Sequence, residues 1–246
     1  MTASAPTATS AQKALALLEV LAGAAGPLGV SELGRLVGAS RGTVHKQLGG
    51  LVAAGWVEQA DDGRYGLSLT AARVGNAALR QAGLGRRIQV VLEEVAARTG
   101  EAISIAALHR DATLIVQRAE SDQVLHADIR VGTRIPLDEG ASSHVLTAFA
   151  LTSAKRGEMR ASGIRLLPED ALVEIAADGV ARTVDGFVEG ITAISIPLYD
   201  ALQFKTVALT LAAPNARVHF ARHEAALREG RDEIYALMGE SGTRPD

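Results

Sequence analysis

Apolar positions along this chain keep helical spacing, then alternate, then return to helical spacing, and the changes mark its parts. Lys13–Ala22 reads as a first helix. Val30, Leu33, Leu36 and Val37 fall on one helical face, and Ser31 can cap that helix at its start. Gly38-Ala39 is small enough for a tight turn between packed helices. Ser40 can then cap a second helix whose apolar positions are Val44, Leu48, Leu51 and Val52. After Gly55, the runs Trp56–Ala60 and Arg64–Leu67 flank Asp61-Asp62-Gly63, a hairpin turn. Two short helices, a small-residue turn and a hairpin spell a winged helix-turn-helix.

Leu69–Leu84 then reads as a linking helix. Val74, Leu79 and Leu84 make it partly apolar, and Gly75 and Gly83 weaken it by about 1 kcal/mol each relative to Ala. A helix at Arg87–Thr99 sets Ile88, Val91, Leu92 and Val95 on one face and stops at Gly100. The pattern becomes strand-like over Ala102–Leu108 and Ala112–Arg118, with His109-Arg110-Asp111 as the turn, and again over Val124–Ile129. Pro136-Leu137 leads through a loop to a helix from Ser142 or Ser143 to Phe149. Residues 151–168 read as irregular, Glu169–Ala177 as helix. Strands at Ala193–Leu198 and Thr206–Ala212 flank Tyr199–Gln203, and Val218–Met238 closes the chain as an amphipathic helix. Strands from separate segments, with helices before, between and after, predict one mixed or antiparallel sheet covered by helices, hence an α+β second domain. The expected division is 10–70 for the winged helix-turn-helix, 71–85 for the linker helix and 86–240 for the second domain.

Charge sharpens the picture. The net charge of -3 argues against coating nucleic acid. Its distribution is uneven, however: residues 1–80 carry seven Lys/Arg against five Asp/Glu, and the acidic excess lies in the remainder. A slightly basic head suits a specific duplex binder that makes a few phosphate contacts. With no cysteine, disulfides, thiolate catalysis and Cys-ligated zinc are excluded within the chain. His45 has no partner at ligand spacing, so no metal is expected, and no cofactor either. MTASAPTATS lacks a basic start and an apolar core, and reads as a disordered tail rather than a signal peptide. No apolar stretch reaches the length of a membrane span, so a cytoplasmic protein with no membrane partner is expected. Eight aromatic residues are too few for a base-stacking surface.

The polar face of the second short helix carries the candidate DNA contacts. Ser40 as cap, followed by Arg41, Thr43, His45, Lys46 and Gln47, places donors at a helix start that can enter a major groove. Arg64 sits where a wing can touch the backbone or minor groove. Two other classes compete. One is a winged-helix interaction module that does not bind DNA, against which the retained basic residues Arg41 and Lys46 speak. The other is an enzyme converting a small molecule. Ser142-Ser143-His144 is no triad, since triads arise from spatial geometry, and no G-x-S-x-G, P-loop, H-E-x-x-H or G-x-G-x-x-G occurs.

Over nearly its full length the chain resembles the IclR family of bacterial transcriptional regulators. The likeness rests on the first helix, SELGRLVGASRGTVHKQLGGLVAAGWVE, VLEEVAARTGEAISIAAL, VGTRIPL, and EGITAISIPL followed by VALTLAAP. It implies a winged helix, a linker helix and a GAF-like effector domain, in a dimer or dimer of dimers on palindromic operator DNA. The implied function is a repressor of a catabolic operon, released by a small organic effector. It further implies pocket-facing backbone at Gly140, Ala141, Ser142 and Ser143, with His144 beside them. Pocket side chains are implied at Thr183, Ala193, Thr210 and Ala212. Acid-binding members carry Asp, Cys, Ser and Ser where this chain has these last four, and a small-Gly-Lys step where it has Ser142-Ser143-His144. The thinner polar lining argues against glyoxylate or pyruvate and toward a larger or less polar molecule, such as an aromatic acid. His144 can pair with an acidic ligand or with Asp138 or Glu139; Arg182, Asp185, Glu189 and Tyr199 are further candidates for the pocket or an interface.

Overall fold

The computed structural model describes residues 9–123, 129–199 and 206–238. The tail up to residue 8, the expected strand at Val124–Ile129 except for Ile129, and the expected connection from Asp200 to Gln203 lie outside the described residues. Two compact units, Met1–Ala78 and Leu79–Asp246, divide the chain.

The first unit comprises α1 (Ser10–Gly23), α2 (Val30–Val37), α3 (Arg41–Ala53) and a two-stranded hairpin of β1 (Val57–Gln59) and β2 (Tyr65–Leu67). The first helix starts earlier than its apolar pattern, because Thr9 caps it. Gln12 N–H donates to Thr9 Oγ1 at 3.2 Å, and Thr9 N–H donates back to Gln12 Oε1 at 2.8 Å, a reciprocal capping box. Leu17, Leu21, Leu33, Val44, Leu48, Leu51, Val57 and Tyr65 form the core. The hairpin pairs Val57 with Leu67 and Gln59 with Tyr65, and Leu28 bridges Tyr65 from the other side.

Two details depart from expectation. The cap of α2 is Gly29, with Ser31 already inside the helix. Leu36 and Val52 are 50% and 39% exposed, so the buried stripes of α2 and α3 are narrower than their apolar patterns. The turn between these helices is built as the small residues predict. Gly38 is left-handed at φ 64°, and Ala39 N–H donates to Gly34 O at 2.9 Å. A Cβ on Gly34 would stand 2.9 Å from the Ala39 carbonyl oxygen, so the sharp corner depends on glycine there.

The linking helix, α4 (Leu69–Gln81), ends three residues short of expectation and buries none of its residues. The boundary between the units falls within it.

The second unit contains α5 (Arg86–Thr99), β3 (Ala102–His109), β4 (Ala112–Ala119), β5 (Arg134–Pro136), α6 (Ala141–Ala150), α7 (Ser153–Ala161) and α8 (Glu169–Asp178). It continues with β6 (Ala181–Val184), β7 (Ile191–Leu198), β8 (Val207–Pro214), a 3-10 turn at Asn215–Arg217, and α9 (Phe220–Met238). Six strands form one antiparallel sheet in the order β5-β4-β3-β8-β7-β6. On one face α5 and α9 pack over Ile103, Ile105, Ile194, Ile196, Leu209 and Leu211. On the other, α6 covers Ala106, Ile115 and Ala208, and α8 packs against α6. The short strands β5 and β6 lie where the apolar pattern is too brief to register.

Residues 151–168, read as irregular, contain α7. Thr152 caps it through a 3.2 Å bond from Lys155 N–H, and buried Arg156 anchors it. Arg156 donates to Leu151 O at 2.6 Å and forms an ion pair with Glu169, fixing α7 to α8. Apolar spacing cannot show a helix held by its polar residues.

Candidate functional site

The first candidate surface is the start of α3. Ser40 is its cap: Thr43 N–H donates to Ser40 Oγ at 3.3 Å, and the two hydroxyls are 2.9 Å apart. Arg41, His45 and Lys46 are exposed, while Thr43 and Gln47 are half-buried. The first turn contains no acidic residue, so its positive helix end and N–H groups are not compensated from within α3. This end therefore presents a helix dipole and two exposed cations in one place.

Two of the expected contact residues are already engaged. Gln47 Nε2 donates to Ser10 Oγ at 3.1 Å, so its amide joins α3 to α1. Arg64 lies in the wing, but its guanidinium pairs with Asp62, at 2.7 Å from Nη2 to Oδ2, while its backbone N–H donates to Asp62 Oδ1 at 3.0 Å. That N–H and the guanidinium hold the Asp62 carboxyl below the usual carboxylate range. The wing arginine is thus a neutralised pair rather than a lone cation. Asx geometry within Asp-Asp-Gly-Arg was the signal for it.

The second candidate site lies between the sheet and α6, around a cavity of about 30 Å³. Two cross-strand rows make its floor. Arg118, Ser104 and Thr210 are successive partners across β4, β3 and β8, and the row runs on to Ser195 of β7, which does not line the cavity. Beside them run Ala212, Ala193 and Thr183 across β8, β7 and β6. The start of α6 makes the wall, with Gly140 at φ 73° and no side chain capping the helix. Gly140, Ala141, Ser142, Thr183, Ala193, Thr210 and Ala212 all line this cavity.

Ser143 and His144 do not. Ser143 is fully buried within α6 and its Oγ has no hydrogen-bond partner. His144 Nε2 lies 3.1 Å from the backbone carbonyl of Asp138 rather than from a carboxylate. Burial pushes the His144 imidazole below its ordinary pKa of 6.5, against the pull of that carbonyl and of the Asp138 charge. The Asp138 carboxylate itself meets Arg165 at 2.8 Å. Thr210 is also committed, its hydroxyl 2.8 Å from that of Ser195.

Sequence reasoning missed Arg118. Its side chain is 3% exposed, lines the cavity, and donates from Nε to Glu120 Oε1 at 2.8 Å. The β3–β4 pairing slips at Val116, since Ile105 opposes Gln117 while Ala106 opposes Ile115. This bulge turns Arg118 to the same side as Ile115, where strict alternation points it away.

Phe187 and Val188 close the cavity from the loop between β6 and β7. Asp185 folds this loop: at φ 55°, its Oδ1 accepts from Gly190 N–H at 2.6 Å and from Asn215 Nδ2 at 2.9 Å. The other candidates have separate roles. Arg182 pairs with Glu224 on α9, and Tyr199 packs edge-on against Phe149 with ring centroids 5.5 Å apart.

Among the described residues, no cluster of three or more His, Asp or Glu can hold a metal ion, and no helix is long and apolar enough to cross a membrane.

Comparisons with known proteins match both units. Residues 10–61 match the IclR helix-turn-helix domain, and residues 76–233 match the family described as bacterial transcriptional regulator IclR C-terminal. The chain is 31% identical over 200 residues to the glycerol operon regulatory protein of Streptomyces coelicolor, covering 78% of this chain and 79% of that protein. It is 27% identical to the HTH-type transcriptional regulator KdgR of Escherichia coli, over 94% of this chain and 93% of the other. Its fold is similar to the crystal structure of an IclR homolog complexed with 4-hydroxybenzoate from Microbacterium hydrocarbonoxydans. That likeness has a TM-score of 0.78 at 21% identity, over 95% of this chain and 100% of the other.

Proposed function

The chain belongs to the IclR family of bacterial transcriptional regulators, and from that premise we propose a repressor that binds a palindromic operator and releases it in response to an organic acid. The observation that carries the DNA reading is the start of α3, where Arg41, His45 and Lys46 are exposed around an uncompensated helix end. Arg41 and Lys46 meet phosphates there, and Thr43 and His45 face base edges. Ser40 holds the geometry as cap. Arg64 positions the wing through Asp62, and Gln47 acts through α1. A winged-helix module without DNA binding has no use for this face.

The effector reading rests on charge. The start of α6 brings positive potential to one largely apolar cavity, and a carboxylate with an apolar body would compete with Glu120 for the Arg118 guanidinium there. Ser104, Ser142 and Thr183 are hydroxyl groups lining the cavity beside the engaged Thr210, and Phe187 is its aromatic residue. A cavity of about 30 Å³ has room for one water molecule. Binding a metabolite therefore calls for the cavity to widen, and we assign that movement to the Phe187 loop. We assign the second unit to the GAF-like class on its antiparallel sheet with helices on both faces, and keep the domain limits at 10–70, 71–85 and 86–240. Assembly as a dimer or dimer of dimers is supported by α4, which buries nothing and leaves Leu69 84% exposed and Val74 40% exposed.

Calorimetry with benzoate and 4-hydroxybenzoate tests the effector reading. Saturable binding to the full chain, lost in Arg118→Gln, is expected. The same affinity in Arg118→Gln would remove the cavity from the account.

A further inference from the structure

A second cleft, of about 290 Å³, opens where α9 begins, between its first turn and the end of α5. None of its lining residues lines the effector cavity. His219, Arg222 and His223 stand at helical spacing on one side of this start, and Arg217 and Glu101 complete the wall. The 19-residue helix α9 has no acidic residue in its first turn. Glu101 does not reverse the sign of the site, because both its oxygens are taken by Arg217, at 2.6 and 2.8 Å. Arg222 is exposed, and its hydrogen bond among the described residues is long, 3.5 Å to the Arg98 carbonyl.

His223 is the observation that points to a ligand. It is 2% exposed and lines the cleft, yet its Nδ1 has no hydrogen-bond partner. A buried imidazole nitrogen left in this way carries its full desolvation cost unless a ligand satisfies it. His219 packs edge-on to it, with centroids 6.1 Å apart, so two imidazoles and a guanidinium surround the same helix end. With the proton of His223 on Nδ1, donors from several directions together with a helix dipole match a compact oxyanion rather than a planar apolar acid.

We propose that this cleft is a second ligand site, taking a phosphate group at the start of α9 through His219, Arg222 and His223. The phosphate is either the free ion or the head of a phosphomonoester metabolite. The site stands apart from the effector cavity and does not depend on the operator reading.

Calorimetric titration of the full chain with inorganic phosphate, against sodium chloride at equal ionic strength, tests it. One saturable phosphate site per chain is expected. The exposed-residue double variant His219→Gln/Arg222→Gln should weaken it by about tenfold or more, and Arg118→Gln should leave it as it is. His223→Gln, where it folds, should behave like the double variant. Methyl phosphate binding more tightly than inorganic phosphate identifies the phosphomonoester as the ligand; equal or weaker binding identifies the free ion, and the site stands in both cases. Heats no different from chloride, or a titration that the double variant leaves unchanged, would overturn the proposal.

Discussion

At the scale of single residues, some groups meet a ligand and others hold their neighbours in place. Arg41 and Lys46 belong to the first kind. Replacing either by Ala should weaken operator binding across sequences and lower the salt dependence of log K by about 1, as expected for losing one phosphate contact. An anisotropy series over salt concentration reads both effects, and an unchanged slope would take that residue off the backbone. Asp62 belongs to the second kind. Asp62→Asn keeps an acceptor for the Arg64 N–H but removes the charge that neutralises its guanidinium. Binding to random duplex should therefore tighten a few-fold at low salt, and weaker binding would mean that the wing geometry needs the ion pair. His144 predicts a pH effect. Its folded-state pKa lies below 6.5, so the unfolded chain takes up protons first. Its contribution is whole above that value and declines as pH falls through the lower folded value. Burial lowers His223 as well, so it acts in the same direction. Between about pH 7 and pH 5 the Tm of the wild type should fall more steeply than that of His144→Gln. Parallel curves would show that the imidazole is not the group responsible.

At the scale of elements, the amphipathic faces were legible and the polar fastenings were not. Ile88, Val91, Leu92 and Val95 are buried on α5 as their spacing predicts, and Val44, Leu48 and Leu51 on α3 likewise. The exposed Leu36 and Val52 show that an apolar residue beside a stripe need not join it. The α7 helix escaped notice because capping and Arg156 hold it rather than an apolar face. Arg118 escaped because a single bulge residue reverses the alternation that would otherwise point it away from the cavity. Close packing of α5 on α9 gives a direct test. A Cβ on Gly230 would lie 2.6 Å from Val95 Cγ2, a stiff branched side chain that cannot swing aside. Gly230→Ala should destabilise the second unit by about 1–3 kcal/mol, read by denaturant unfolding, and a neutral result would show that the two helices separate at little cost. The loop over the cavity proposed for the effector is similarly exposed to test. Asp185→Ala removes the acceptor for Gly190 and Asn215, so 4-hydroxybenzoate should associate faster in stopped-flow measurements; an unchanged rate would locate the opening elsewhere.

At the scale of the whole molecule, a DNA-reading unit and a ligand-binding unit share one chain, and control requires only that the effector prefer one state over the other. A tenfold preference supplies about 1.4 kcal/mol of coupling. The basic head and acidic remainder were visible in the charge distribution, whereas the small closed cavity required coordinates. The central claim is that the start of α3 reads a specific duplex. Fluorescence anisotropy of the full chain on the DNA upstream of its own gene, with excess random duplex as competitor, tests it most directly. Saturable binding is expected that survives the competitor, weakens as salt rises, and is lost in the Arg41→Ala/Lys46→Ala variant. Affinity equal to that for random duplex at low salt would contradict it.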